Sequence, residues 1–371
     1  MRAELVVDVA AIRHNVRLLK AHTGTAMMTV VKADGYGHGL AEAGRAARAG
    51  GADWLGVATL DEALALRAAG DTGRVLCWLT VPGDDWAAAI EQGVDVTAYS
   101  VAELDAIAAT GRRARVQLKV DTGLSRGGVP LASWADVVDR ARRGVEAGEW
   151  AVTGIWSHFS SSDEPDDPAN DAQERAFRAA LDVATRAGLR PEVTHLANSA
   201  AAILRPSSRF DLVRCGLAAF GLDPAPGHTP ALGLRPAMTA QARLAMVKRV
   251  EAGAAVSYGR TWTADRETTL GLVPAGYADG LLRAGSNRAE VEVGCRRRRV
   301  RGRICMDQFV VDLGDDDPGA GAVVTLFGTG DHGEPTAQDW AEACDTISYE
   351  IVTRIGGRFT RRYVDSETMS R

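Results

Sequence analysis

One rhythm dominates the first two thirds of the chain. A short apolar, β-branched run is followed by a longer Ala- and Arg-rich stretch with helical spacing, and the pair then repeats. The strand candidates are Met27–Lys32, Trp54–Ala58, Val75–Leu79, Asp95–Ala98, Val116–Val120, Val152–Ser157, Glu192–Leu196 and Asp211–Arg214. Helical spacing falls between them, at Leu40–Arg48, Asp61–Ala69, Asp85–Gln92, Val101–Thr110 and Asp171–Arg186. A further helix near Val9–Lys20 precedes the first strand, with Asp8 as its N-cap. Strands that alternate with helices pair in parallel. Eight such repeats over about 200 residues favour a closed (β/α)8 barrel over an open sheet.

The texture changes near Arg235. Thr239–Val250, Thr268–Val273, Ala289–Val293, Arg298–Asp312 and Ala322–Phe327 alternate apolar and polar residues, the period of a half-buried strand. A short helical tail follows at Thr336–Ala343 and Ile347–Ile355. A chain of 371 residues suits two domains. The expected fold is α/β, with a TIM-type barrel over 1–234 and a mostly β domain over 235–371.

Composition removes several partners. The net charge of −5 argues against nucleic acid or an anionic membrane. The basic run Arg296–Arg301 lies in an alternating segment beside Glu290 and Glu292, without aromatic interleaving, and reads as a solvated hairpin. No apolar stretch is long enough to span a bilayer, and Glu4 and Asp8 interrupt any signal-peptide core. The five cysteines are an odd number and form no CxxC pair, which fits reduced thiols in the cytoplasm.

Polar residues gather at the C-terminal ends of the expected strands, the rim where barrel active sites lie. Lys32 ends the first strand. A lysine in a partly dry barrel mouth has a lowered pKa and a nucleophilic amine, although a lysine snorkelling from a strand end has the same pattern. Lys119 ends the fifth strand, with Asp121 and Arg126 beyond it. His158 follows the sixth strand, and His195, Asn198 and Ser199 the seventh. Arg214 ends the eighth, before Gly216. Ser199 and Gly216 could cradle a phosphate there, or Ser199 could merely cap the helix Ala200–Leu204. No carboxylate–histidine spacing points to a metal, and none is expected.

In order along the chain, several segments carry a specific pattern. They are Val30-Val-Lys-Ala-Asp-Gly-Tyr-Gly-His-Gly39, Lys119-Val-Asp-Thr-Gly-Leu-Ser-Arg126, Trp156-Ser-His158, His195-Leu-Ala-Asn-Ser199 and Val213-Arg-Cys-Gly216. Beyond the barrel come Ser257-Tyr-Gly259, Gly276-Tyr-Ala-Asp-Gly280, Cys305-Met-Asp-Gln308 and Ser348-Tyr-Glu350. Together these resemble the alanine racemase family along nearly the whole chain.

The resemblance implies a homodimeric enzyme with shared active sites that uses pyridoxal phosphate and acts on a small amino acid. Lys32 would attach the cofactor covalently, and Tyr258 of the partner subunit would be the second acid/base. Arg214 would face the pyridine nitrogen, with His158 between it and the cofactor. Tyr36, Ser199, Gly216 and Tyr349 would hold the phosphate. Arg126 and the partner subunit's Met306 backbone would receive the substrate carboxylate. Tyr277 would shape the entrance, and Asp307 would support the site. Lys119 matches the family's carbamylated lysine.

Leu124, Cys215, Phe220 and Trp262 depart from the family's usual Met, Pro, Tyr and Tyr. None carries the chemistry, but packing behind the pocket differs, which leaves serine as an alternative substrate. Two rival readings share the barrel: an amino-acid decarboxylase, and a non-catalytic protein of pyridoxal phosphate homeostasis. The first wants an acid where Arg214 stands, and the second lacks a β domain.

Overall fold

A computed structural model describes residues 2–369. Contacts divide the chain into two units. One comprises Ile12–Gly35 and Gly39–Leu234; the other gathers Met1–Ala11, Tyr36–His38 and Arg235–Arg371.

Strands are numbered along the chain, beginning with β1 (Ala3–Asp8). The first unit holds β2 (Ala26–Val30), β3 (Trp54–Val57), β4 (Arg74–Cys77), β5 (Asp95–Ala98), β6 (Ala114–Asp121), the short β7 (Val129–Pro130), β8 (Trp150–Trp156), β9 (Val193–His195) and β10 (Leu212–Cys215). Leaving out β7, which pairs only with β6, eight parallel strands run in the order β10-β2-β3-β4-β5-β6-β8-β9. Backbone bonds from Asp211 N–H to Thr194 O (3.1 Å) and from Arg214 N–H to Ala197 O (3.0 Å) join the two ends of that order. All eight expected strands are present, each within a few residues of its expected bounds.

Met28, Trp54, Leu76, Trp156 and Leu212 form a buried cluster from β2, β3, β4, β8 and β10. Each such side chain contributes roughly 1.5–3 kcal/mol on burial. At the N-terminal end of the barrel, fully buried Asp95 accepts from Arg74 Nη2 (2.9 Å), Arg115 Nη2 (2.5 Å) and Thr153 Oγ1 (2.6 Å). A buried carboxylate without those donors would cost several kcal/mol, so this end is built for stability and the other is free for chemistry. Caps set the outer helices: Thr59 and Glu62 form a capping box for Leu60–Ala68, and Asp167 caps Pro168–Arg186 with proline in the first turn.

The second unit is a sheet. Its remaining strands are β11 (Met238–Arg243), β12 (Met246–Val250), β13 (Ala255–Val256), β14 (Trp262–Thr263), β15 (Thr268–Val273), β16 (Glu290–Val293), β17 (Arg296–Arg301), β18 (Phe309–Gly314), β19 (Val323–Phe327) and β20 (Thr360–Val364). Nine of them order as β12-β15-β18-β17-β16-β19-β11-β1-β20, while β13 pairs with β14. The N-terminal β1 thus completes this sheet, antiparallel to β11 and parallel to β20. Its alternating burial, with Ala3, Leu5 and Val7 inward, was available in the sequence. Asp8 then caps the following helix Val9–Thr23 by accepting from Ala10 N–H at 2.9 Å. The basic run forms β17, a hairpin strand against β16, with ion pairs to Glu290, Asp316 and Asp339.

Among the described residues, no helix is long and apolar enough to cross a membrane, and no group of three or more His, Cys, Asp or Glu could hold a metal ion.

Candidate active site

Lys32 lies just past β2 at the C-terminal end of the barrel. The backbone turns sharply after it: Ala33 (φ 53), Asp34 (φ 54) and Tyr36 (φ 53) are all left-handed, as is Gly35 between them. Non-glycine residues there need outside support. Glu62 supplies it by accepting from Ala33 N–H at 2.7 Å, and Asp34 Oδ1 accepts from Leu40 N–H at 2.8 Å. Burial lowers the Lys32 pKa, and the Arg126 charge adds to the effect against the pull of Glu62. More of the amine is therefore neutral and nucleophilic.

Arg214, buried on β10, is the hub. Its Nη1 donates to His195 Nδ1 (2.9 Å); its Nη2 donates to His158 Nδ1 (2.9 Å), Ser157 O (2.9 Å) and Leu196 O (3.0 Å). A guanidinium can only donate, so both imidazoles accept at Nδ1 and carry their proton on Nε2. His195 passes that proton toward Gln117 Oε1 at 2.7 Å and stacks on Trp156, 5.5 Å between ring centres. Burial, and then the Arg214 charge, hold both histidines well below their ordinary pKa, so both are neutral. No carboxylate pairs with Arg214 among the described residues. Burial lowers its own pKa to about 9, which leaves it protonated at neutral pH.

Lys119 on β6 is buried beside this hub. Its Nζ lies 4.6 Å from the Trp156 ring centre and 5.3 Å from that of Tyr99. Burial, with Arg214 and Arg126 nearby, lowers its pKa to about 8. Arg126 is exposed in the loop after β6, where Asp121 Oδ1 accepts from Gly123 N–H (2.9 Å) and Ser125 N–H (3.1 Å) to shape the turn. Ser199 does not cap its helix: Asn198 does, by accepting from Ala201 N–H, while Ser199 Oγ accepts from Gly216 N–H at 3.0 Å. The hydroxyl proton is left to donate elsewhere.

The sheet unit carries the other expected residues. Tyr258 is 73% exposed, Met306 54% and Tyr277 41%. The last two share a built corner. Tyr277 N–H and Ala278 N–H donate to Cys305 O and Met306 O, both at 3.0 Å. Gly276 permits that approach, since a Cβ there would lie 2.3 Å from both carbonyls. Arg358 donates to buried Asp279 through Nε and Nη2 (both 2.6 Å) and to Asp307 through Nη1 (2.6 Å). Burial would raise the Asp279 pKa, but the bonds from Arg358 and Gly276 N–H outweigh it and keep the carboxylate charged. Tyr36 and Tyr349 lie together, ring centres 6.2 Å apart.

Sequence reasoning missed three supports: Gln117 behind His195, Glu62 under the Lys32 turn, and Arg358 behind Asp279. The capping-box spacing Thr59 to Glu62 was a signal for the second. The other two span 78 and 79 residues along the chain and leave no local trace.

The chain matches the family models "Alanine racemase, N-terminal domain" over residues 7–224 and "Alanine racemase, C-terminal domain" over residues 237–363. It is 51% identical over 370 residues to the alanine racemase of Salinispora tropica, covering 99% of each chain. To that of Thermobifida fusca it is 54% identical over 367 residues, covering 97% of this chain and 98% of the relative. The crystal structure of alanine racemase from D-cycloserine-producing Streptomyces lavendulae superposes with a TM-score of 0.97 at 51% identity, covering 98% of this chain and 97% of that one.

Proposed function

The chain belongs to the alanine racemase family, and from that premise we propose that it interconverts L-alanine and D-alanine with Lys32 and Tyr258 as the two acid/base groups. It is an isomerase, and its substrate is a small amino acid. The rival decarboxylase and homeostasis readings are not favoured, since the match runs through both domains.

The residues fit pyridoxal phosphate. Lys32 offers an amine made nucleophilic by burial. Ser199 keeps a hydroxyl proton for a phosphate beside Gly216, and Tyr36 and Tyr349 add phenols to the phosphate set. His158 keeps an Nε2–H to donate once Arg214 occupies its Nδ1. When bound, the cofactor supplies the electron sink that makes the α-hydrogen acidic.

The chain's own residues do the rest. Lys32 moves a proton on one face of the α-carbon, and the partner subunit's Tyr258 moves one on the other, which is what inversion requires. Arg126, with the partner subunit's Met306 backbone, holds the substrate carboxylate and so decides which bond faces the bases. The neutral form of the Lys119 amine adds through its nitrogen to carbon dioxide and releases a proton to solvent, giving a carbamate that orients Arg126. Tyr277 narrows the approach, and Asp307 steadies the Met306 corner through Arg358.

Arg214 is the observation that carries the reading. A guanidinium held by two neutral histidines, with no acidic partner among the described residues, cannot give a proton to a pyridine nitrogen. That weakens the electron sink and disfavours side reactions, which suits racemisation better than decarboxylation. A chiral assay with L-alanine and L-serine tests it. D-alanine should form much faster than D-serine; a preference for serine would overturn the substrate assignment.

A further inference from the structure

Ser257, just ahead of Tyr258, has φ 63 and ψ −175, a region occupied almost only by glycine. Gly259 (φ 72) and Arg260 (φ 50) are left-handed on the other side. Tyr258 is thus flanked by rarely populated backbone, which persists only where neighbours enforce it.

The neighbours come from the segment Gly302–Cys305. Ser257 Oγ donates to Arg303 O at 2.7 Å and lies 3.3 Å from Cys305 Sγ. The hydroxyl proton goes to the carbonyl, and the thiol, which also lies 3.5 Å from Arg303 O, completes a three-way contact. Gly302 packs alongside, where a Cβ would lie 2.7 Å from Val256 O and 2.9 Å from Ser257 Cβ. Gly302 N–H donates to Asn287 Oδ1 at 2.6 Å, and Asn287 Nδ2 donates to Thr261 Oγ1 at 3.1 Å. One segment therefore ties both the start and the end of the turn. With most of the Tyr258 side chain exposed, its position is set by this backbone.

We propose that Ser257 is a positioning residue for Tyr258: its hydroxyl, held between the Arg303 carbonyl and the Cys305 thiol, fixes the turn that presents the phenol for proton transfer. This rests on the two-base reading above. Small displacements of a reacting group cost large factors in rate, on the order of 10²-fold per ångström. A loosened turn should therefore slow the proton transfers made by Tyr258 and leave those made by Lys32.

The test is α-hydrogen exchange in deuterium oxide, measured from L-alanine and D-alanine separately on the full-length protein with pyridoxal phosphate bound. Ser257→Ala should slow exchange from the enantiomer served by Tyr258, the L form, roughly tenfold. Exchange from D-alanine should stay within about twofold. Ser257→Gly, which adopts φ 63 without strain, should show the same split, and it covers the case in which the alanine variant folds poorly. As a readout apart from turnover, a fluorotyrosine label at position 258 should give a broadened or shifted fluorine resonance in Ser257→Gly. Tyr258→Phe runs in parallel. If it is enantiomer-selective while Ser257→Gly slows both enantiomers equally or neither, the role of Ser257 is overturned. If Tyr258→Phe is itself unselective, the two-base reading falls and takes this proposal with it.

Discussion

The barrel mouth and the Ser257–Gly259 turn solve the same problem in opposite ways. Around Arg214, four acceptors from the ends of two strands, β8 and β9, converge on one buried guanidinium, and the protonation of both histidines follows from it. Around Tyr258, the backbone is held tightly while the phenol is 73% exposed. The first arrangement is complete within its own unit. The second has a fixed base and an uncovered tip, as the proposed shared site requires. Preorganisation in low dielectric needs all donors present beforehand, whereas a group supplied from elsewhere needs only a rigid mount.

The comparison breaks most sharply at Lys32. Lys32→Ala should lower racemisation by roughly 10⁴-fold or more, because it removes both the covalent anchor of the cofactor and one of the two acid/base groups. Borohydride should fix pyridoxal phosphate to residue 32 of the parent protein, read by peptide mass, and to no residue of the variant. Fixation elsewhere would move the barrel's centre away from Lys32.

Arg214→Met comes next. It strips the donor from two histidines and two buried carbonyls at once, for an expected stability loss of about 3–5 kcal/mol in denaturant melts. His158 would remain depressed by burial but lose the second cause, so its pKa should rise toward the ordinary range, measured by ring NMR. An unmoved histidine would mean that the guanidinium does not govern it. In the sheet unit, Arg358→Ala leaves the buried Asp279 carboxylate without its charged partner, which should lower the denaturant midpoint. It should also raise KM more than it lowers kcat, through the Tyr277 and Met306 corner. Equal losses in both would count against that corner as a substrate wall.

The smallest expected effect is a pH dependence. The Lys119 pKa lies near 8 in the fold, against an ordinary value of 10.5. Between those values the unfolded chain binds more protons than the folded one, so stability should rise with pH across about 8 to 10.5. Lys119→Met should flatten that rise. Bicarbonate should flatten it too, because a carbamylated amine no longer titrates there. A rise that survives both would assign it to another group.

The sequence carried the barrel's half of this comparison better than the sheet's. Lys32, Lys119 and Arg214 each lie at or near the end of an apolar run, so their place at one rim followed from strand periodicity. The left-handed turn after Lys32 was less legible, since only Gly35 and Gly37 among its five consecutive positive-φ residues announce such a conformation. Ser199 read equally well as a helix cap, and only the contact with Gly216 separates the two roles. For the sheet unit, alternation identified most strands but not their partners. The N-terminal β1 joins strands more than 230 residues away. Beyond its place in the Ser257-Tyr-Gly259 motif, Ser257 offered no signal, because a serine next to a tyrosine does not reveal a glycine-like backbone.

The most direct test of a fixed mount with an uncovered tip is subunit complementation. Lys32→Ala and Tyr258→Phe, each nearly inactive alone, are mixed under conditions that exchange subunits, and alanine racemisation is measured. If Tyr258 serves the partner's barrel, one site of each mixed dimer carries both defects and the other none. Those dimers should then recover roughly half of the parent activity. No recovery despite demonstrated exchange would mean that Tyr258 acts within its own chain, contradicting the account.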